Sequence, residues 1–308
     1  MTAEVRLQPL ARGKVAALGE AGRAWQAALP RVLDELAQRW DLTLGRGLPG
    51  GSASYVCAAE TSTGQARVLK VGVPGPALVD EARTLRAARG CGYVLLHDDD
   101  PDRRALLLER LGDSLDRSGL APEARLDVAV DVLARAWTVP VGSAPPANDR
   151  AAALDDGVRA AAAAHPGACT EGALHTALAC ADRRSAARDP AREVLAHGDP
   201  HPSNLLRVAA PRPGAESGWA LVDPDGLRCE AAYDAGVLLR DWSSHLRGSD
   251  ARPRLEAWCR RVADRAALDP VAVWDWAYLE RVSTGLYLRT LGADRLAATF
   301  LDSAAGLT

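Results

Sequence analysis

Lysine is almost missing from this 308-residue chain: Lys14 and Lys70 stand against thirty-five arginines, which together make its 37 basic residues. Where a solvated cation would serve, arginine is used, so each remaining lysine calls for a reason. The chain also lacks an excess of either charge. Forty acidic residues give a net charge of −3 and a pI near 6.1, with no acidic or basic tail. That balance excludes a nucleic acid or an anionic membrane as the expected partner. No stretch reaches eighteen apolar residues without a charge, and Met1 to Leu10 holds no apolar signal segment, so the expectation is a cytoplasmic protein. The six cysteines show no C-x-x-C spacing. They read as reduced, buried small hydrophobes, not as a disulfide framework.

What is present suits a globular enzyme. Hydrophobic residues make up 48% and charged residues 25%, and the length allows two lobes. The densest chemistry lies between Val194 and Asp225. Three apolar runs of strand character, Val194–Ala196, Leu205–Val208 and Trp219–Val222, enclose His197, Asp199, His201, Ser203 and Asn204, and the third ends on Asp223. Buried polar groups must be paired, so a knot this dense between hydrophobic segments points to a site.

Asp199 and Asn204 are five residues apart, and Asp223 opens the turn after the next strand. Phosphoryl transfer divides its work in this way: one Asp takes the proton of the attacking hydroxyl, while an Asn and a second Asp hold Mg²⁺ against the phosphates. H-G-D-x-x-x-x-N, then a strand and V-D, resembles the catalytic loop of the aminoglycoside phosphotransferases, which share the protein-kinase-like fold. The downstream Tyr233-Asp234 strengthens the likeness. By that resemblance Asp199 is the catalytic base, Asn204 and Asp223 are the Mg²⁺ ligands, and His197 braces the loop. Cys229-Glu230 stands where relatives carry Gly-Asp, and Asp234 is expected to anchor the loop through hydrogen bonds.

Two other readings compete. His197, Asp199 and His201 pin a buried turn without chemistry, or they belong to a metallohydrolase, since His-Gly-Asp-Pro-His puts metal-ligand types at alternate positions. His97, His165, His175 and His245 supply no second ligand pair with metal spacing, which ranks the metallohydrolase low.

Toward the N-terminus, apolar spacing predicts a helix over 31–40 after an interruption at Leu29-Pro30, then a strand from Asp41. Gly45–Ser54 is a glycine-rich turn in which Gly50, Gly51 and Ser52 let backbone N–H groups approach phosphates. It matches neither a P-loop nor a Rossmann fingerprint. Strands follow at 55–60 and 66–71, and Lys70 sits near the end of the second. Kinase-type enzymes need an ammonium there, paired to a Glu on the next helix; Glu81, on a helix over 78–88, fills that place. His97–Asp102 reads as a solvated acidic turn. The strand 105–108 leads to Glu109 and Leu111, whose backbone the resemblance makes the adenine-binding hinge.

Helices are predicted over 122–139, 151–164, 170–187, 253–266, 270–291 and 294–305. The segment Trp274–Tyr287 resembles the last helices of the streptomycin and hydroxyurea kinase branch. Its aromatics interleave with Asp275 and Glu280, which either pack in the core or, with Asp241, line a pocket for a cationic ligand.

The whole reads as an α+β, two-lobed protein-kinase-like fold. Residues 1–112 form a small nucleotide-binding lobe with an antiparallel sheet, and 113–308 a mainly helical catalytic and acceptor lobe. The resemblance implies ATP and Mg²⁺ as cofactors, and a monomer is expected. The function expected is phosphorylation of a hydroxyl on a small cationic or polyol acceptor, with streptomycin-like antibiotics first and hydroxyurea second. Choline, homoserine or a sugar is the alternative acceptor, and a nucleotide-binding pseudokinase the non-enzyme alternative.

Overall fold

The computed structural model describes residues 5–49, 53–75, 77–143 and 148–308. Gly50, Gly51 and Ser52, expected at the phosphates, lie outside the described residues. Five strands form one antiparallel sheet in the order β1-β2-β3-β5-β4, with β1 Leu42–Gly47, β2 Ser54–Thr61, β3 Ala66–Gly72, β4 Leu96–Asp100 and β5 Ala105–Glu109. Side chains alternate across a strand, and this period decides which way Lys70 points. Leu69 and Val71 of β3, with Tyr55, Cys57 and Ala59 of β2, pack under α1 (Pro9–Ala17) and α2 (Gly19–Arg39). Val68, Lys70 and Val56 point the other way, into a cleft.

Helix α2 runs straight through Pro30, where a break was expected. A proline removes one backbone hydrogen bond and crowds the preceding turn, but Leu29, Leu33 and Leu36 stay in phase and all bury against the sheet. The acidic segment 96–100 is a strand, not a solvated turn. Its carboxylates find partners on neighbouring elements: Asp98 accepts from Trp40 Nε1 at 2.8 Å, Arg86 pairs with Asp99, and Arg103 Nη1 holds Asp100 at 2.9 Å.

After α3 (Ala77–Ala88) and the sheet, the rest is helical: α4 Pro122–Ala136, α5 Arg150–Ala164, α6 Glu171–Ala186, α7 Ala231–Arg240, α8 Ala251–Ala266, α9 Pro270–Thr290 and α10 Asp294–Ala305. Two short ribbons interrupt the helices, β6 (Val194–Ala196) with β9 (Leu227–Cys229) and β7 (Leu205–Arg207) with β8 (Trp219–Leu221). Helix α9 is buried on nearly every side from Ala272 to Leu286, with Asp275, Glu280 and Arg281 among the buried residues, and touches α5, α6, α7, α8 and α10. One continuous core joins α3 and the cleft side of β5 to these helices, and the segment after α3 pairs with β8 through Val94 N–H to Leu221 O at 2.9 Å. Among the described residues, no helix is long and apolar enough to cross a membrane.

Candidate active site

The loop between β6 and β7 is held by one buried carboxylate. Asp234, in the first turn of α7 and fully buried, accepts from the N–H groups of His197 (2.8 Å) and Gly198 (2.9 Å) and from Trp137 Nε1 (2.8 Å). Burial raises its carboxyl above the ordinary value, against the pull of these donors. His197 Nδ1 accepts the Asp199 N–H at 3.1 Å, so the ring proton sits on Nε2, which donates to Val222 O at 2.8 Å. The ring also stacks on Tyr93, with centroids 5.9 Å apart. Gly198 has φ 96°, and a Cβ there would come within 2.7 Å of Asp225 Cβ. Only glycine fits both constraints.

The loop presents Asp199 to the cleft. Its Oδ1 accepts from Arg240 Nη2 at 2.7 Å, and His201 Nε2 lies 3.6 Å from Oδ2. Burial alone would raise its carboxyl, but Arg240, with His201 and His197, holds it below the usual value. Asp199 is therefore ionised at neutral pH. Asn204 donates from Nδ2 to Asp199 O at 3.0 Å, and its own carbonyl accepts the Val222 N–H at 2.9 Å, which ties the loop to the residue before Asp223. Asp223 itself adopts φ 58°. A non-glycine residue in that region stores strain, and such strain gathers at functional sites.

Lys70 Nζ meets three carboxylate oxygens: Glu81 Oε1 at 2.8 Å and Oε2 at 2.6 Å, and Asp223 Oδ1 at 2.8 Å. Burial works against the ammonium, but Asp223 and Glu81 outweigh it and raise its pKa. Burial pushes Glu81 up to about 7 against the pull of Lys70, and Asp223 adds to the rise. Asp223 stays low because Lys70 offsets its burial.

These groups line one cleft of about 830 Å³ between the sheet and the helical part, a size usual for a small-molecule site. Leu48, Val56, Val68 and Leu108 give it an apolar roof; Asp199, Asn204 and Asp223 form its polar floor. Lys14, on α1, lines it as well. Both lysines of the chain therefore border a single cavity. Leu111 also faces the cleft, whereas the Glu109 carboxylate is turned to Arg212, at 3.0 and 2.6 Å.

Two of the three carboxylates expected to receive the acceptor are placed elsewhere by the fold. Asp275 is fully buried and paired with Arg183 (2.5 Å) and Arg184 (3.1 Å) of α6. Glu280 is buried against Tyr233 Oη (2.8 Å) and Arg150 (3.1 Å), behind Arg240. A buried charge needs such partners; Arg150, Arg183 and Arg184 come from helices more than ninety residues upstream, and Tyr233 and Arg240 from α7, so nothing next to either acid in sequence announced them. Asp241 stays partly exposed and is bonded to Arg240 at 2.9 Å. Three functional candidates were missed. Arg240 ends α7, which is buried almost throughout, and Arg150 opens the Ala-rich α5. Asp225 is exposed on the cleft wall, two residues beyond Asp223.

Residues 39–292 match the family model described as aminoglycoside/hydroxyurea antibiotic resistance kinase. The streptomycin 6-kinase of Streptomyces glaucescens is 33% identical over 284 residues, covering 91% of this chain and 89% of that one. The chain belongs to this kinase family. The hydroxyurea phosphotransferase of Kitasatospora aureofaciens is 30% identical over 223 residues, 70% of this chain and 62% of the relative. In fold, a choline kinase from Streptococcus pneumoniae superposes with TM-score 0.61 at 14% identity, over 89% of this chain and 96% of the other. As a member of the antibiotic resistance kinase family the protein is a phosphotransferase acting on a hydroxyl group, and ATP is the donor that membership implies.

Proposed function

We propose that this kinase moves the γ-phosphoryl group of ATP to a hydroxyl of a cationic, streptomycin-like antibiotic, and so confers resistance. The observation that carries the reading is the arrangement of Asp199: a carboxylate held ionised by Arg240 faces the same cleft as the Lys70–Glu81–Asp223 cluster. In this reading the acceptor oxygen bonds to the γ-phosphorus as the bond to the β–γ bridging oxygen breaks. ADP leaves, and the hydroxyl proton passes to an Asp199 oxygen. Lys70 holds the phosphates. Leu111, whose backbone makes no hydrogen bond among the described residues, faces the adenine. We place the boundary between the two lobes near Gly112.

The donor set fits Mg²⁺. Asn204 spends its Nδ2 on Asp199 O and leaves its amide oxygen free; Asp223 keeps one oxygen unpaired. One carboxylate and one amide suit an ion that takes its remaining ligands from water and phosphate. Mg²⁺ there would neutralise charge on the transferring phosphate. Zinc suits the site less well. No group of three His, Cys, Asp or Glu is gathered for a metal among the described residues, and His197 has both ring nitrogens engaged.

The acceptor class rests on a carboxylate beside the base. Asp225, without an ion pair among the described residues, lines the cleft with Asp199 and is free to meet a guanidinium or ammonium group, whereas both oxygens of Asp241 are taken by Arg240. A coupled ADP-release assay over streptomycin, other aminoglycosides, hydroxyurea, choline and homoserine tests this. Streptomycin-dependent release, with the acceptor KM raised in Asp225→Asn and the ATP KM unmoved, supports it. Turnover of a neutral acceptor alone would replace the cationic reading and keep the phosphotransferase.

A further inference from the structure

Arg281, in the middle of α9, is completely buried, and no carboxylate pairs with it among the described residues. A guanidinium taken out of water without a counter-ion is costly, and burial lowers its pKa to about 10, which still leaves it charged at neutral pH. Its three partners explain what the charge does there. Nη2 donates to Leu239 O at 2.9 Å, Nε to Ser243 Oγ at 3.0 Å, and Nη1 back to Ala277 O at 3.3 Å. Leu239 O is a carbonyl of the last turn of α7, where orphan acceptors and the negative end of the helix dipole favour a cation. The Ser243 hydroxyl, while accepting from Arg281, donates to Arg240 O at 2.8 Å. One buried cation thus fixes two successive carbonyls at the end of α7, those of Leu239 and Arg240.

Arg240 is the residue whose guanidinium holds Asp199 Oδ1. We infer that Arg281 is a positioning residue for phosphoryl transfer: it sets where α7 ends, and through Arg240 it sets the orientation of the base. The close approach of the helices supports a rigid coupling. A Cβ on Gly236 of α7 would lie 2.4 Å from Trp276 Cβ and 2.6 Å from Ala277 N of α9, so α7 and α9 meet backbone to backbone about one turn from the clamp. The inference rests on Asp199 being the base of the proposed reaction.

The test is kcat and KM in Arg281→Met, Arg281→Lys, Ser243→Ala and Arg240→Met, with streptomycin as acceptor, or hydroxyurea where streptomycin is not turned over. Arg281→Met is expected to keep the ATP KM within about twofold and to lower kcat about 10- to 100-fold, a share of what general-base catalysis supplies. Arg240→Met should show the same split between kcat and KM, and the double variant should be no worse than Arg240→Met alone, since the two act in series. Arg281→Lys should recover part of the rate. If Arg281→Met does not fold, Ser243→Ala carries the same prediction with a smaller fall in kcat. A fall in kcat matched by a rise in the ATP KM, or an additive double variant, would overturn the inference and leave Arg281 a packing residue. Asp199→Ala in the same assay separates the two claims: near-normal turnover there would remove the base itself.

Discussion

The roles proposed for Asp199 and Lys70 rest on charge, and each carries a prediction at the scale of a single side chain. Asp199→Ala should lower turnover by about 10²–10⁴ while ATP still binds, because the base acts on the acceptor and not on the nucleotide. Nucleotide titration alongside the rate assay checks both halves. Lys70→Arg keeps the charge but replaces a compact ammonium with a planar guanidinium. The pocket around Nζ is closed by three oxygens within 2.8 Å and is almost fully buried, so the larger group does not fit, and a marked loss of kcat/KM for ATP should follow. Unchanged ATP kinetics in that variant would place Lys70 outside the nucleotide site. Residues of this kind were legible because their chemistry is written in short spacing: Asp199, Asn204 and Asp223 fall within twenty-five residues. Arg240, Arg150 and Arg281 were not legible, since an arginine in a helix of a chain with thirty-five of them looks like any other cation. Only the fold shows which ones are buried.

Helices and strands behave differently from their residues, because packing decides them. The buried anchor of the catalytic loop is an example. Asp234→Ala would leave the N–H groups of His197 and Gly198 and the indole of Trp137 without their acceptor, each costing roughly 1–3 kcal/mol when buried. Thermal unfolding should register a large loss, and turnover should fall with it. Two glycines inside helices should respond in opposite ways. In Gly157→Ala the new methyl group on α5 meets nothing within 4 Å, so helix propensity alone should stabilise the protein by about 1 kcal/mol. In Gly236→Ala the methyl group collides with α9, and overpacking of this kind costs about 1–3 kcal/mol. Melting curves of the pair decide whether the α7–α9 contact is as tight as the geometry has it. The same dominance of packing explains the misread elements. Proline suggested a break in α2, but three leucines on the sheet outweigh one lost hydrogen bond. Four consecutive polar residues, His97 to Asp100, suggested a loop, but arginines and a tryptophan from other elements let the segment pair as an edge strand.

At the scale of the whole molecule, the two-layered plan was readable from the order of elements: strands with a glycine-rich turn, then helices around a polar loop. The routing of α9 through the centre was not. Its aromatic and acidic residues suggest a pocket wall until the arginines of α5 and α6 are seen to face them. Ligand binding should be felt across the molecule, because the cleft is walled by both the sheet and the catalytic ribbons. ATP with Mg²⁺ at a hundred times its Kd should raise stability by about 2.7 kcal/mol, and chelator should remove most of that gain along with activity. Restoration by zinc but not by magnesium would instead favour the metallohydrolase reading. The scarcity of lysine has a last consequence, for chemical labelling. A protein with two ε-amino groups, both bordering the cleft proposed for the nucleotide, offers an amine-reactive probe almost nowhere else to go. Exposed Lys14 should be modified readily and buried Lys70 slowly, and bound nucleotide should shield both. Peptide mapping after a brief acylation would then read occupancy of the cleft directly, with the rest of the surface silent.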